Sequence, residues 1–191
     1  MSHRLSDLSG TPMGVDMIRI RAGVPDDEPA VLRMGDEAVV WLAAQGRTGQ
    51  WGVQPWTGNE KREKMIRERL AGGGGRIAET EDGEAVGVIV ITEERQHYVP
   101  AVDERELYIN LLLTSRRHRG KGIGALLVAR ARQEAASRGI DLIRVDCYAG
   151  DDGALMRWYT RTGFTPTERF TVGDWPGQVL QIRLSDTMVR I

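Results

Sequence analysis

The stretch Arg119-Gly120-Lys121-Gly122-Ile123-Gly124 constrains this chain more than any other. It lies between an apolar, strand-like run, Leu107 to Thr114, and a long amphipathic helix pattern, Ala125 to Ser137. Its glycines remove the Cβ atoms that would hold a ligand away from the backbone. The helix that follows turns its free N–H groups and the positive end of its dipole toward the loop. Strand, bare loop and helix N-terminus together make a seat for the phosphate or pyrophosphate of a cofactor. Two familiar forms of such a seat are excluded. A P-loop requires Lys-Ser or Lys-Thr after the glycines, and neither is present. The dinucleotide fingerprint requires G-x-G-x-x-G, whereas Gly120, Gly122 and Gly124 are spaced G-x-G-x-G, with no βαβ unit opening the chain there.

The rest of the chain reads as one domain. Met17 to Ala22 alternates as a short half-buried strand. Pro25-Asp26-Asp27 starts a helix, and Val31, Met34, Ala38, Val39 and Leu42 carry it to about Gln45. Gly46 to Thr57 reads as loop, and Asn59 can cap a second helix with Met65, Ile66 and Leu70 on its apolar face. Arg76 to Thr80 and Glu84 to Thr92 form a hairpin around Asp82-Gly83. A last pair of strands, Glu168 to Val172 and Val179 to Leu184, encloses a turn from Gly173 to Gly177 that contains Trp175.

Composition excludes several function classes. The chain has 191 residues, 41% of them hydrophobic, so it can bury a core. A formal net charge of −1 gives no basic field for nucleic acid. The single cysteine, Cys147, rules out an internal disulfide framework and packs as a small hydrophobe. No run approaches the roughly 18 apolar residues of a membrane span. Residues 1–16 carry Gly, Pro and Ser without a hydrophobic segment, which reads as a flexible tail and not a signal peptide. The expectation is a cytoplasmic protein with one domain over residues 17–191, binding neither membrane nor metal.

The loop also fits R-x-x-G-x-G, with Arg119 first and then Gly122 and Gly124. A strand-like run, Gly139 to Tyr148, follows the helix. Then come Asp152-Gly-Ala-Leu-Met-Arg-Trp-Tyr159 and Thr162-Gly163-Phe164. In order and spacing these parts resemble the GNAT superfamily of N-acetyltransferases over roughly residues 75 to 184. The family's signature here is N-x-x-A-x-x-x-Y...G-F; Asp152 stands where Asn is usual and Leu155 where Ala is usual.

The resemblance implies a mixed, mostly antiparallel twisted sheet of about seven strands flanked by about four helices. Its fourth and fifth strands would be parallel neighbours that splay apart because a β-bulge, expected near Leu111 to Leu113, interrupts the fourth. Acetyl-CoA would enter that opening as co-substrate. The pantetheine arm is implied at Leu112, Leu113 and Thr114, and the pyrophosphate at the backbone of Arg119, Gly120, Lys121, Gly122, Ile123 and Gly124. Asp152 is implied beside the cofactor. Homodimers are common among such enzymes, although no residue pattern here specifies an interface.

The chemistry asks for further groups. A protonated alkyl amine, with a pKa of about 10.4, cannot attack a thioester until a base takes its proton. The departing thiolate gains from a proton donor. Tyr159 matches the family tyrosine in that role; its ordinary pKa of about 10 exceeds a thiol's roughly 8.5. The base side is left open, and Asn110 cannot itself act as a base at neutral pH. By the period-two rule Glu106, Tyr108, Asn110 and Leu112 share one strand face. Tyr108 holds the position of the basic glutamate in histone-acetylating members. Glu106 could act through a water that Asn110 could hold, and Asp146 on the next strand is a further option. His97 and His118 read as loop residues.

For the acceptor, Trp51 and Trp56 lie in the segment that covers the cleft in this superfamily, and Trp175 lies in a turn that borders it. Converging aromatics can hold an organic cation or an apolar ring. Trp41 reads as helix core. The leading function is transfer of an acetyl group from acetyl-CoA to the primary amine of a small molecule. Acetylation of a protein lysine or N-terminal amine, and a non-catalytic acyl-CoA sensor, stand as alternatives.

Overall fold

Residues 17–188 are described by a computed structural model, and the tail expected over residues 1–16 lies outside them. Seven strands form one sheet: β1 (Arg19–Ala22), β2 (Gly75–Glu79), β3 (Ala85–Thr92), β4 (Glu106–Thr114), β5 (Leu142–Tyr148), β6 (Thr165–Val172) and β7 (Trp175–Arg183). Their order is β1-β2-β3-β4-β5-β7-β6. Only the β4–β5 pair is parallel. The helices are α1 (Glu28–Ala43), α2 (Glu60–Ala71), α3 (Ile123–Ser137), α4 (Ala154–Arg161) and a short α5 (Leu184–Met188). The mixed, mostly antiparallel architecture is the expected one, with α5 added to the four helices the sequence suggested.

Alternation along the strands builds two cores. Ile77, Val88, Val90 and Leu113 pack with α1 and α2 on one face. Ala78, Ile89, Ile91, Leu107 and Ile109 pack with Leu127, Val128 and Ala131 of α3 on the other. Asn59 caps α2, its Oδ1 accepting from the Arg62 N–H at 3.1 Å, as its residue type suggests.

The feature that positions the site is a break in β4. Val90 pairs with Leu111 and Ile91 with Ile109, so Asn110 is the extra, bulged residue. The bulge therefore falls one residue before the window expected from the loop. It also reverses the alternation. Leu107 and Ile109 face α3, but beyond the bulge Leu112 faces α3 while Leu111 and Leu113 face α1 and α2. Hence Leu112 does not share a face with Tyr108, contrary to an uninterrupted period of two. Pairing of β4 with β5 ends at Ile109–Val145, although β4 continues to Thr114 and β5 to Tyr148. The two strands part there.

One further boundary differs. Val172 pairs with Trp175, so the β6–β7 connection is a tight turn at Gly173-Asp174. Gly173 takes φ +58°, a conformation that favours glycine. Trp175 is thus the first residue of β7, where its pairing holds the ring in place, and not part of a loose turn.

Candidate active site

The gap between β4 and β5 opens into a cavity of about 660 Å³ that reaches both faces of the sheet. Leu112, Leu113 and Thr114 line it, together with Val145, Asp146 and Cys147 of β5. From the α3 side Leu155, Trp158 and Tyr159 of α4 close it; from the other side Trp41, Trp51, Arg69, Tyr98 and Trp175 do so.

At the loop end, Gly120 and Gly122 take φ values of +84° and +73°, and a Cβ on either would meet nothing within 4 Å. These two glycines leave bare, accessible backbone. Gly122 is the N-cap of α3 and offers no side-chain cap, so the first N–H groups of that helix are free for an anion. Arg116 and Arg119 line the cavity beside it. Arg116 stacks on the Trp41 ring at 3.6 Å, and its buried Nε has no partner among the described residues. A pyrophosphate fits this donor set. Gly124 serves a different purpose: a Cβ there would lie 2.8 Å from Cζ2 of Trp158. It admits a tryptophan, not a ligand. Lys121 continues the exposed turn, whereas the Ile123 side chain enters the α3 core.

Asp152 is not at the cavity wall. Its Oδ1 accepts from the Ala154 N–H at 3.0 Å, capping the first turn of α4, and its Oδ2 accepts from Arg47. The backbone donor holds its pKa below the usual carboxylate range. The expected cofactor contact is here a helix cap and a tie to the segment after α1.

The candidate bases separate sharply. Glu106 is buried and grips Arg144 bidentately, Nε to Oε2 at 2.6 Å and Nη2 to Oε1 at 3.0 Å. A carboxylate so paired is held in an ion pair, and Glu106 does not line this cavity, so the sequence expectation for Glu106 is corrected. Tyr108 is fully buried; its hydroxyl donates to Oδ1 of Asp146. Burial and that neighbouring carboxylate push its pKa upward, so it stays a donor. Asn110 lines the cavity, but Gln96 donates to its Oδ1 at 2.7 Å and its Nδ2 donates to Oγ1 of Thr92 at 2.7 Å. Asp146 is the one carboxylate lining the cavity among the described residues. Burial raises its pKa, while hydrogen bonds led by that from Tyr108 act the other way. The Tyr98 hydroxyl lies near Asp146, and burial pushes that tyrosine up to about 12.

Tyr159 is buried on α4, edge-on to Trp158 at 5.0 Å and to Phe164 at 5.4 Å. Burial raises its pKa, which keeps its proton in place at neutral pH. It lies near Cys147, whose thiol burial pushes up to about 12.

The tryptophans divide differently from the sequence expectation. Trp56 is 2% exposed and packs in the α1–α2 core, its ring seated over Gly35, where a Cβ would fall 2.4 Å from the indole. It is not a cavity residue. Trp51 is one, and meets Trp56 edge-on at 5.3 Å. Trp175 also lines the cavity; its Nε1 donates to the Gln50 carbonyl at 3.2 Å and its ring tilts against Tyr148 at 5.6 Å. Trp41, expected in the core, faces the cavity under Arg116. Sequence reasoning missed Arg69, Gln96, Tyr98 and Tyr148. Only Tyr148 had a usable signal, since it follows Asp146 by two residues on the same strand face.

The family model for the acetyltransferase (GNAT) family matches residues 44–164. The chain belongs to the GNAT acetyltransferase family, whose members transfer acetyl groups from acetyl-CoA. Solved structures agree on the fold. A GNAT-family acetyltransferase from Listeria monocytogenes is 18% identical, with a TM-score of 0.68 over 87% of this chain and 95% of that one. A ribosomal-protein-alanine N-acetyltransferase from Brucella melitensis is 24% identical, TM-score 0.62, over 87% and 99%. An acetyltransferase from Salmonella typhimurium, solved with its cofactor acetyl-CoA, is 20% identical, TM-score 0.60, over 87% and 94%. The search of curated proteins gave no match. Among the described residues no helix is long and apolar enough to cross a membrane, and no group of three His, Cys, Asp or Glu could hold a metal ion.

Proposed function

We propose that the protein acetylates the primary amine of a small molecule, with Asp146 accepting the amine's proton and Tyr159 protonating the departing thiolate. The carrying observation is Asp146 itself. It is the one carboxylate lining the cavity among the described residues, and it stands on β5 just beyond the point where β4 and β5 part. A base raised above the ordinary carboxylate range is closer to neutrality and so better matched to its task. The buried Tyr108 hydroxyl donates to the carboxylate and fixes its direction.

Acetyl-CoA supplies an activated thioester. Arg116, Arg119 and the free N–H groups at the start of α3 would hold its phosphates, and the backbone of β4 beyond Ile109 would hold its arm. The amine then loses its proton to Asp146, directly or through one water. Tyr159 stands across the gap on α4 with its proton retained.

A small acceptor is favoured over a peptide by the closure of the cleft. The bond from Trp175 to Gln50 ties β7 to the segment after α1, and Trp51 stands beside it. An extended chain would have to break that tie to cross the opening. The test is CoA release with acetyl-CoA and two sets of acceptors, small primary amines and lysine-containing peptides. Turnover of small amines is expected. Turnover of peptides alone would refute the reading.

A further inference from the structure

Resting on that small-amine reading, we infer that the acceptor carries an anionic group, most simply a carboxylate, close to its amine, and that Arg69 of α2 receives it. The class named is an amino acid or a close analogue.

Arg69 and Asp146 line the same cavity and sense one another's charge. Arg69 is half-buried and, among the described residues, makes one hydrogen bond, from Nη1 to the carbonyl of the bulged residue Asn110 at 3.2 Å. A guanidinium carries five N–H donors in a planar fork suited to a carboxylate. Among the described residues it forms no ion pair, as is true of Arg116, Arg119 and Arg161 at the same cavity, but Arg69 is the one of these whose charge acts on Asp146. Arg47, also at the cavity, is paired with Asp152. Arg144, two residues before Asp146 on the same face of β5, is paired with Glu106. Arg116 is stacked on Trp41 at the phosphate end. Burial opposes the charge on Arg69. Arg69 feels the charge of Asp146, but no carboxylate among the described residues lies within ion-pair distance of it, and a ligand anion filling its fork would offset the cost of its burial.

The two charges match a zwitterion. The ammonium of an amino acid would face Asp146, and its carboxylate would face Arg69. The aromatic walls formed by Trp51, Tyr98, Tyr148 and Trp175 would meet its side chain. An amine lacking the anion would leave the Arg69 fork against the acceptor's apolar body. Hydrogen bonds to a charged group correspond to about tenfold to hundredfold in affinity, and that is the discrimination expected here.

The experiment measures CoA release by the full chain with acetyl-CoA and matched probes: the free amino acids, their carboxamides, and the corresponding amines without a carboxyl group. The expected result is a kcat/KM for at least one free acid about tenfold or more above its carboxamide, carried mainly in KM. In Arg69→Gln that ratio should fall toward one, and Arg69→Lys should restore part of it. Acetyl-CoA affinity of each variant, measured by calorimetry, shows that it is folded. Equal turnover of acid, amide and simple amine would overturn the inference and leave the small-amine reading intact. Survival of the preference in Arg69→Gln would overturn the assignment to Arg69. Turnover of peptides alone would overturn the small-amine reading and this inference with it.

Discussion

Two carboxylates stand on neighbouring strands of the same sheet, Glu106 on β4 and Asp146 on β5. Glu106 lies where the strands are still paired, opposite Leu142, and a bidentate arginine neutralises it in the core. Asp146 lies one residue beyond the last paired position, Val145, and faces a cavity with the Tyr108 hydroxyl donating to it. The chemistry of the two side chains is almost the same. What separates them is whether the backbone between the strands is closed or open. A closed ladder brings the Arg144 side chain against Glu106. An open one gives Asp146 room for a ligand, and burial raises its pKa although the Tyr108 hydroxyl and the more distant charge of Arg69 act the other way.

That contrast can be broken at several points. The largest effect is expected for Asp146→Asn, which removes the proposed base without changing its shape. We expect kcat/KM to fall by about 10²- to 10⁴-fold while acetyl-CoA binding persists. The same variant should be more stable at neutral pH. The folded-state pKa of Asp146 is raised, so the folded protein holds that proton more tightly than the unfolded chain. Stability from this group is therefore present below about pH 4 and is lost as pH rises through the folded pKa. Thermal melts of parent and variant should diverge above that range and converge below it. A less stable Asp146→Asn at pH 7 would contradict the burial argument.

Next comes Glu106→Ala, which leaves Arg144 charged and unpaired in the core. A loss of about 3–5 kcal/mol is expected in urea unfolding. Where the variant remains folded, its KM should stay close to that of the parent. A stable variant with a lost acid limb in its pH profile would restore Glu106 as the base.

Tyr159→Phe should lower kcat by about 10²-fold, the low end for a positioned acid, with little change in acetyl-CoA affinity. An unchanged kcat would return Tyr159 to a packing role beside Trp158 and Phe164.

The smallest effect is expected for Tyr108→Phe. Its hydroxyl favours the ionised form of Asp146, so its removal should push that pKa higher still. The acid limb of kcat/KM, which falls as pH drops through the Asp146 pKa, should then move toward higher pH. A limb that stays in place would separate Tyr108 from the base.

Much of the fold was legible because its signals are local. The glycine-bearing turn into α3, the Asn59 cap, the Asp82-Gly83 hairpin and the apolar spacing of α1 each depend on a few neighbouring residues. The site was less legible because it depends on where β4 and β5 stop pairing. The bulge at Asn110 shifts every later residue of β4 to the opposite face, and no local pattern marks it. Leu112 was therefore placed on the face of Tyr108, and Glu106 was weighed against Asp146 without the ion pair that separates them. The tryptophans were misjudged for a related reason. The apolar helical surroundings of Trp41 pointed to the core and the loop surroundings of Trp56 to the cleft, the reverse of what the structure shows. Only the packing of α1 against the following segment seats Trp56 over Gly35 and leaves Trp41 at the cavity under Arg116.

By itself, then, the sequence determined a strand, a bare loop and a helix N-terminus able to bind phosphate, because that arrangement is built from adjacent residues and backbone chemistry. It also determined the order of elements around that loop, through periodicity and turn residues. The tertiary structure decided which carboxylate is sealed and which faces the cavity, which tryptophans line it, and that Arg69 stands there without a paired anion among the described residues. Those outcomes rest on contacts between residues distant in the chain, and on a single unpaired position in one strand that sets where the sheet opens.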